Sequence, residues 1–169
     1  MTKNINDFLI FSNSKNFNYK TVNYSFESNS EADTELFAQT LAQILPLGTV
    51  ITLDGDLGAG KTVFSRGFAR GLNITEPISS PTFTIVQEYK LENYSKRSAW
   101  FFHLDLYRID GYHAALAFGI EEFLNEPSAF TLIEWPVRIK ELLKNNFLSI
   151  KITHINENSR LIILKFIDS

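Results

Sequence analysis

Apolar and polar residues follow two different periods along the chain, and each period predicts one kind of secondary structure. Between residues 22 and 26 they alternate strictly, which predicts a half-buried strand. From about Ser30 to Leu45 apolar residues recur every three or four positions, which predicts a helix with a buried face formed by Phe37, Leu41 and Ile44. Further strands are predicted at Thr49–Leu53, Thr82–Tyr89, Trp100–Leu106, Phe130–Glu134, Leu148–Ile155 and Leu161–Ile167. Further helices are predicted at Lys61–Arg70, at His113–Leu124 with a break near Gly119, and at Val137–Lys144. Strands and helices alternate through the centre, so we expect an α/β sandwich with a mixed sheet.

Length, charge and cysteine content narrow the functional classes. The chain has 169 residues, with 16 Lys and Arg against 19 Asp and Glu, and its net charge is −3. Domains that hold nucleic acid by themselves usually carry a basic excess, so this mildly acidic balance argues against that class. The chain has no Cys, which excludes disulfides and thiolate metal sites.

The first twenty residues differ in composition from the rest. They are rich in Asn and Ser, so we expect residues 1–20 to form a partly ordered extension in which the Phe8–Phe11 block packs on the body. Residues 21–169 have the length of a single domain. The Phe8–Phe11 block is too short for a signal peptide, and no apolar run approaches the roughly 18 residues of a membrane span. We therefore expect a cytoplasmic protein.

A glycine-rich loop between the predicted strand at 49–53 and the predicted helix at 61–70 carries the strongest chemical signal. It fits the pattern G-x-x-x-x-G-K-[ST] at every fixed position. The glycines allow successive backbone N–H groups to point at phosphate oxygens, the lysine reaches the β- and γ-phosphates, and the hydroxyl ligates Mg²⁺. The predicted nucleotide-binding residues are Asp56, Leu57, Gly58, Ala59, Gly60, Lys61, Thr62 and Val63, with Lys61 also catalytic and Thr62 a metal ligand. The predicted fold is a three-layer P-loop NTPase-like fold with a mixed, mostly parallel central sheet flanked by helices.

The sequence indicates the type of nucleotide and the acidic residues of the site less clearly than it indicates the loop. No Asn-Lys-x-Asp segment of the kind that guanine-specific GTPases carry is present, which favours ATP. A carboxylate at the C-terminal end of a strand opens onto the crevice where α/β sheets bind ligands, and Asp105 and Glu134 both occupy such positions. The spacing leaves open which of them contacts the metal and which handles water.

Several neighbouring residues have both a functional and a structural interpretation. Ser80, Pro81 and Thr82 follow the helix of the loop, where P-loop proteins place a segment that senses the γ-phosphate, but Ser-Pro is also an ordinary turn. Arg108 could stabilise phosphate charge or form a surface ion pair. Trp135 could lie at the mouth of the site or in the core. For His103 the packing role is favoured over metal binding, because two ligands do not make a site.

Taken together, these motifs resemble one family, the bacterial TsaE (YjeE) ATPases. The resemblance covers about Tyr24 to Phe166 and rests on segments in the order and spacing of the family. They are Gly55 to Thr62, Ser80-Pro-Thr-Phe83, His103-Leu-Asp-Leu-Tyr-Arg108, Gly119-Ile-Glu-Glu122 and Ile133-Glu-Trp-Pro136. Val137 departs from the pattern, since the family usually has Glu at that position.

The resemblance implies specific roles. Thr62 and Glu134 look like the Mg²⁺ ligands, Asp105 like the acid needed for hydrolysis, and Ser80 to Thr82 like the γ-phosphate-sensing switch. Trp135 matches a Trp that is important in the family. The implied function is ATP hydrolysis, weak in isolation, that supports threonylcarbamoyladenosine modification of tRNA through the partner proteins TsaD and TsaB. The tRNA contact would be indirect, through that complex, and we expect no DNA or membrane partner.

Two alternatives remain at this stage. A P-loop small-molecule kinase fits the loop and the length, but such enzymes usually carry an Arg-rich lid, and only Lys96 and Arg97 interrupt the candidate lid segment. A non-catalytic module, in which ATP binding switches the affinity for a partner, fits the same residues. A variant that binds ATP without hydrolysing it would separate this module from an ATPase.

Overall fold

A single sheet runs through the described part of the chain, with helices on both of its faces. The computed structural model describes residues 2–92, 94, 98–143 and 146–168. Its strands are β1 (Asn23–Ser28), β2 (Val50–Asp54), β3 (Val86–Leu91), β4 (Ala99–Asp105), β5 (Ala129–Glu134), β6 (Phe147–His154) and β7 (Arg160–Ile167). Its α-helices are α1 (Ile5–Ser12), α2 (Glu31–Ile44), α3 (Lys61–Gly71), α4 (Gly111–Phe118) and α5 (Ile120–Leu124). Short 3₁₀ helices lie at Tyr19–Thr21 and Pro136–Ile139.

The strand order is β1-β7-β6-β2-β5-β4-β3. The pairs β6–β2, β2–β5 and β5–β4 are parallel, and the other three pairs are antiparallel. Five strands therefore point one way, and only β7 and β3 among the described strands point the other way. The prediction of a mixed, mostly parallel sheet is confirmed.

Two apolar clusters, one on each face of the sheet, confirm the layered arrangement. Alternate residues of one strand point to opposite faces. On β4, Phe101 joins the cluster that contains α1, α2 and α3, whereas Phe102 and Leu104 join the cluster that contains α4 and α5. This alternation places His103 and Asp105 on the α3 face of the sheet, and Glu134 of β5 lies on the same face by the same reasoning.

Two glycines allow α3 to approach α2 closely. A Cβ atom on Gly67 would lie 2.4 Å from the Glu35 carbonyl oxygen, and one on Gly71 would lie 2.5 Å from the Gln39 carbonyl oxygen. Real Cβ atoms do not approach oxygens this closely, so larger residues would push the helices apart. The position of α3, and with it the loop that precedes it, therefore depends on these two small residues.

The predicted strand at Thr82–Tyr89 is wrong in its first half, because the strand begins only at Val86. The amides of Thr84 and Ile85 both donate to the Pro81 carbonyl oxygen, at 3.1 and 2.7 Å, which folds this segment into a turn. Ile85 has φ of 69°, a left-handed conformation that is uncommon for a β-branched residue. A run of β-branched and aromatic residues thus forms a turn here, since backbone hydrogen bonds outweigh strand propensity.

The predicted helix at Val137–Lys144 is also wrong in its extent. Only the 3₁₀ helix Pro136–Ile139 forms, and the amides of Leu142 and Leu143 then turn back to the Ile139 carbonyl oxygen at 2.8 and 3.2 Å. Among the described residues no helix continues beyond Ile139. Lys144 lies outside the described residues.

The N-terminal segment contains a helix that the sequence did not predict. The Asn4 side chain caps α1 by accepting from the amides of Asn6 and Asp7, and Asp7 completes the capping box. Phe8 is fully buried, which confirms that the Phe8–Phe11 block packs on the body. The division into an extension at 1–20 and one domain at 21–169 stays a prediction.

None of the helices in the described ranges has both the length and the apolar character that a membrane crossing requires.

Candidate nucleotide-binding site

The glycine-rich loop connects β2 to α3, as predicted, and its backbone needs glycine for two different reasons. Gly58 and Gly60 have φ of 77° and 112°, while an added Cβ would meet no atom within 4 Å at either position. Their requirement is therefore conformational. A Cβ on Gly55 would instead lie 2.6 Å from the Ile152 carbonyl oxygen. Among the described residues no side chain caps the start of α3, so its positive end is available to an anion.

Lys61 is held over the loop by backbone and aromatic contacts. Its Nζ donates to the carbonyl oxygens of Gly55 and Asp56 at 2.6 and 2.9 Å and lies 4.4 Å from the centre of the Trp135 ring. Burial lowers the pKa of Lys61, while the negative charges of Glu134 and Asp105 act against that decrease. The ammonium group thus reaches back to the first two residues of the loop and lies beside the Trp135 ring.

The two candidate acids lie side by side at the ends of adjacent parallel strands. Asp105 and Glu134 are register partners on β4 and β5, and both are 2% exposed. Asp105 accepts hydrogen bonds from the hydroxyls of Ser80 and Thr82, the latter at 2.7 Å, and from the Tyr107 amide at 3.0 Å. The two carboxylates therefore share one edge of the sheet but have different partners.

Glu134 is bound on one oxygen only. Its Oε1 lies 2.9 Å from His103 Nε2 and 3.4 Å from Ser65 Oγ. Within the described part of the chain, Oε2 has no hydrogen-bond partner. The His103 ring, for which a packing role was favoured, is fully buried but also binds this carboxylate.

A cleft of about 720 Å³ joins these groups. The predicted residues that line it are Leu57, Gly58, Ala59, Gly60, Lys61, Thr62, Val63, Ser80, Thr82, Asp105, Glu134 and Trp135. Asp56, Pro81 and Arg108 do not line it. The Arg108 guanidinium instead lies 4.4 Å from the centre of the exposed Phe83 ring, and it contacts neither acid. The surface ion pair considered for Arg108 is also absent among the described residues.

Part of the cleft wall comes from residues that the sequence analysis did not identify. They are Asn29, Ser30, Glu31 and Thr34 at the start of α2, Tyr107 after β4, and Glu157, Asn158 and Arg160 at the β6–β7 turn. Arg160 Nε donates to the Ala59 carbonyl oxygen at 3.0 Å, which joins the end of the chain to the loop. Tyr107 stands within the segment His103 to Arg108, and its aromatic neighbour Trp135 could have drawn attention to it. The others carry no motif.

The donor set fits a magnesium nucleotide better than a metal held by protein alone. Among the described residues no three His, Asp or Glu side chains are grouped so that they could hold a metal ion. Mg²⁺ usually takes one or two protein oxygens together with phosphate oxygens and water. The Thr62 hydroxyl and the open oxygen of Glu134 lie in one cleft with the phosphate-binding loop and match that mode. The metal, nucleotide and switch roles of individual residues stay predictions.

Comparison with known proteins identifies the family. The model of the family described as "Threonylcarbamoyl adenosine biosynthesis protein TsaE" matches residues 28–162. This chain belongs to the TsaE family. It is 36% identical over 146 residues to the tRNA threonylcarbamoyladenosine biosynthesis protein TsaE of Bacillus subtilis, covering 86% of this chain and 83% of that protein. It is 45% identical over 111 residues to the Synechocystis protein of the same name, covering 64% and 68%.

A solved structure extends the similarity to the fold of the TsaE family. The crystal structure of Bacillus subtilis YdiB superposes with a TM-score of 0.70 at 31% sequence identity and covers 87% of each chain. The family resemblance and the fold predicted from the sequence are therefore confirmed. The matched range contains the whole loop, both acids and Arg160, whereas α1 lies before it.

Proposed function

We propose that this TsaE-family protein is a cytoplasmic Mg²⁺-dependent ATPase that supports threonylcarbamoyladenosine modification of tRNA by acting on the complex of TsaD and TsaB. One observation carries the proposal: the phosphate-binding loop and two buried strand-end carboxylates line the same cleft. The family supplies the pathway, because its members carry the name of threonylcarbamoyladenosine biosynthesis. The net charge of −3 agrees with an indirect role at tRNA, in which the partners make the nucleic-acid contact.

ATP binding is assigned to the loop backbone and Lys61. The open N-terminus of α3 and the Lys61 ammonium group would contact the phosphates, and Thr62 with Glu134 would hold Mg²⁺. The bound ion supplies charge neutralisation on the phosphates, and the protein contributes positioning and electrostatic stabilisation. In this proposal Lys61 exchanges its bonds to the carbonyl oxygens of Gly55 and Asp56 for bonds to phosphate.

Asp105 gives a physical reason for weak hydrolysis in isolation. One of its oxygens accepts from Ser80 and Thr82, and the other accepts from the Tyr107 amide. These three hydrogen bonds fill most of the roughly four acceptor positions of a carboxylate, which limits its capacity to orient a water molecule and take its proton. A rearrangement of residues 80–82 would free it, and the contact with TsaD and TsaB is the event that we assign to this rearrangement.

The kinase and the non-catalytic switch, the two alternative functions, differ in the support that they have. The kinase interpretation has no support in the family match, and the Lys96 and Arg97 of its candidate lid lie outside the described residues. A non-catalytic switch remains distinguishable by experiment. If an Asp105→Asn variant that no longer hydrolyses ATP still supports modification in a reconstituted system, the switch is the better description.

The test is ATP hydrolysis by the purified protein with and without TsaD and TsaB of the same organism. We expect the complex to stimulate hydrolysis and the Lys61→Ala variant to abolish it. Lys165→Ala, which removes an exposed lysine of β7 far from the loop in sequence, is the control and should keep the stimulated rate. A complex that changes neither hydrolysis nor nucleotide affinity would contradict the proposal.

A further inference from the structure

The buried ring of His103 forms a polar contact that a purely structural residue would not need. It lies on β4 between α3 and β5, is 0% exposed, and its Nε2 is 2.9 Å from Glu134 Oε1. Because a carboxylate only accepts hydrogen bonds, Nε2 must be the donor. The other ring nitrogen, Nδ1, is buried and has no partner among the described residues. An apolar residue at this position would avoid that unpaired atom, so the contact with Glu134 is the feature that the histidine supplies.

Ser65, on the helix that follows the loop, lies beside the same carboxylate. Its Oγ donates to the Lys61 carbonyl oxygen at 3.0 Å and lies 3.3 Å from His103 Nε2 and 3.4 Å from Glu134 Oε1. Ser65 is also 0% exposed. Side chains of α3, β4 and β5 therefore meet at one oxygen of Glu134, while Oε2 of that carboxylate has no hydrogen-bond partner within the described part of the chain.

We propose that His103 is a positioning residue for the metal, because it fixes Oε1 of Glu134 and so leaves Oε2 in place to bind the divalent cation of the nucleotide. This inference rests on the proposed function, in which Glu134 is a metal ligand. Groups that orient a metal ligand typically change the metal affinity 10- to 100-fold when they are removed. His103 contacts no phosphate position of the loop, so its loss should leave metal-free nucleotide binding unchanged.

The test compares two variants of His103, to Gln and to Asn, whose side-chain amides differ only in the length of the carbon chain that carries them. In His103→Gln the side-chain nitrogen can occupy the place of Nε2 and donate to Glu134, whereas in His103→Asn it is one carbon atom short. Both variants bury an amide, so their losses of stability are comparable and are checked by thermal unfolding. The readout is Mn²⁺ binding to the protein with ADP, followed by the electron paramagnetic resonance of free Mn²⁺. ADP affinity is measured separately in the presence of EDTA.

We expect His103→Asn to weaken Mn²⁺ binding by about tenfold or more, and His103→Gln to stay near the wild type. ADP affinity in EDTA should be equal in all three proteins. Thr131→Val is a matched stability control, since it removes the buried hydrogen bond of Thr131 to the Phe123 carbonyl oxygen, at 2.8 Å, on the other face of β5. It should leave Mn²⁺ binding unchanged.

The outcomes separate this inference from the function on which it rests. If the wild type binds no Mn²⁺ with ADP, the metal role in the proposed function is refuted and the inference fails with it. If the wild type binds Mn²⁺ and His103→Asn binds it equally well, only the inference is overturned and His103 is a packing residue. If both amide variants lose Mn²⁺ binding equally, the hydrogen bond from position 103 to Glu134 does not determine the metal affinity, and the inference is overturned.

Discussion

The N-terminal helix offers the sharpest test of how the chain is assembled, because a buried and an exposed apolar residue stand two positions apart on it. Phe8 is 0% exposed and its ring centre lies 4.7 Å from that of Phe37 and 5.7 Å from that of Tyr24. Ile10 is 73% exposed. The variants Phe8→Ala and Ile10→Ala therefore differ mainly in the packing that they remove.

The expected magnitude follows from that difference. Removing a fully buried Phe side chain costs about 3–5 kcal/mol in transfer and cavity free energy, whereas a surface substitution stays within about 0.5 kcal/mol. Alanine is the better helix former at both positions, so helix propensity cannot explain a loss. With a total stability of about 5–15 kcal/mol for a typical domain, Phe8→Ala should lose a large share of it.

Urea denaturation followed by far-UV circular dichroism measures both free energies of unfolding. Nucleotide affinity should be unchanged in both variants, because no residue of α1 lines the cleft. Equal and small effects of the two substitutions would refute the reasoning and would mean that α1 contributes nothing to the core. A loss in Phe8→Ala alone would show that the first twenty residues fold with the rest of the chain.

Two further predictions concern the loop and the response to alkaline pH. Arg160→Ala removes the hydrogen bond to the Ala59 carbonyl oxygen and should weaken nucleotide binding by roughly tenfold, as measured by calorimetry. The control is Arg70→Ala, which breaks an exposed ion pair and should leave the nucleotide affinity unchanged. Equal nucleotide affinities in the wild type and both variants would contradict the role of Arg160. Burial, with a smaller effect from the Asp7 charge, raises the pKa of Tyr24, so its contribution to stability is present below about pH 10 and is lost as the pH rises through the raised value. Tyr24→Phe should therefore lose less free energy of unfolding than the wild type as the pH rises above about 10, and parallel pH curves would count against this assignment.

The sequence predicted the parts of the molecule whose residues are contiguous. The loop could be recognised because one short segment supplies both the glycines that turn the chain and the lysine that the sequence pattern assigns to phosphate. The helix at Ser30–Leu45 could be predicted from its period, and the structure places it at Glu31–Ile44 with Ser30 as its cap. Both predictions depend on local backbone rules, which operate within a few residues.

Contacts between distant segments could not be predicted in the same way. Arg160 meets the loop across 101 positions, and nothing in the sequence around it distinguishes it from a surface arginine at the start of a strand. The turn at Ile85 was missed for a related reason. Its residues have high strand propensity, but propensity describes packing on a sheet surface, and the Pro81 carbonyl oxygen binds two of their amides instead.

The two acids show where sequence reasoning reaches its limit in this site. By strand position Asp105 and Glu134 are equivalent, since each ends an apolar strand, and only the family resemblance assigns them different roles. The structure makes them register partners. Their surroundings differ because of residues that lie elsewhere in the chain. Ser80 and Thr82 donate to one oxygen of Asp105 and the Tyr107 amide donates to the other. His103 donates to one oxygen of Glu134, which also lies near the Ser65 hydroxyl, and the other oxygen has no partner in the described part of the chain. A carboxylate with partners on both oxygens suits a group that must be released before it acts, and a carboxylate with one unpartnered oxygen suits a metal ligand. The difference between the two acids therefore follows from tertiary contacts, which the spacing of residues along the sequence does not reveal.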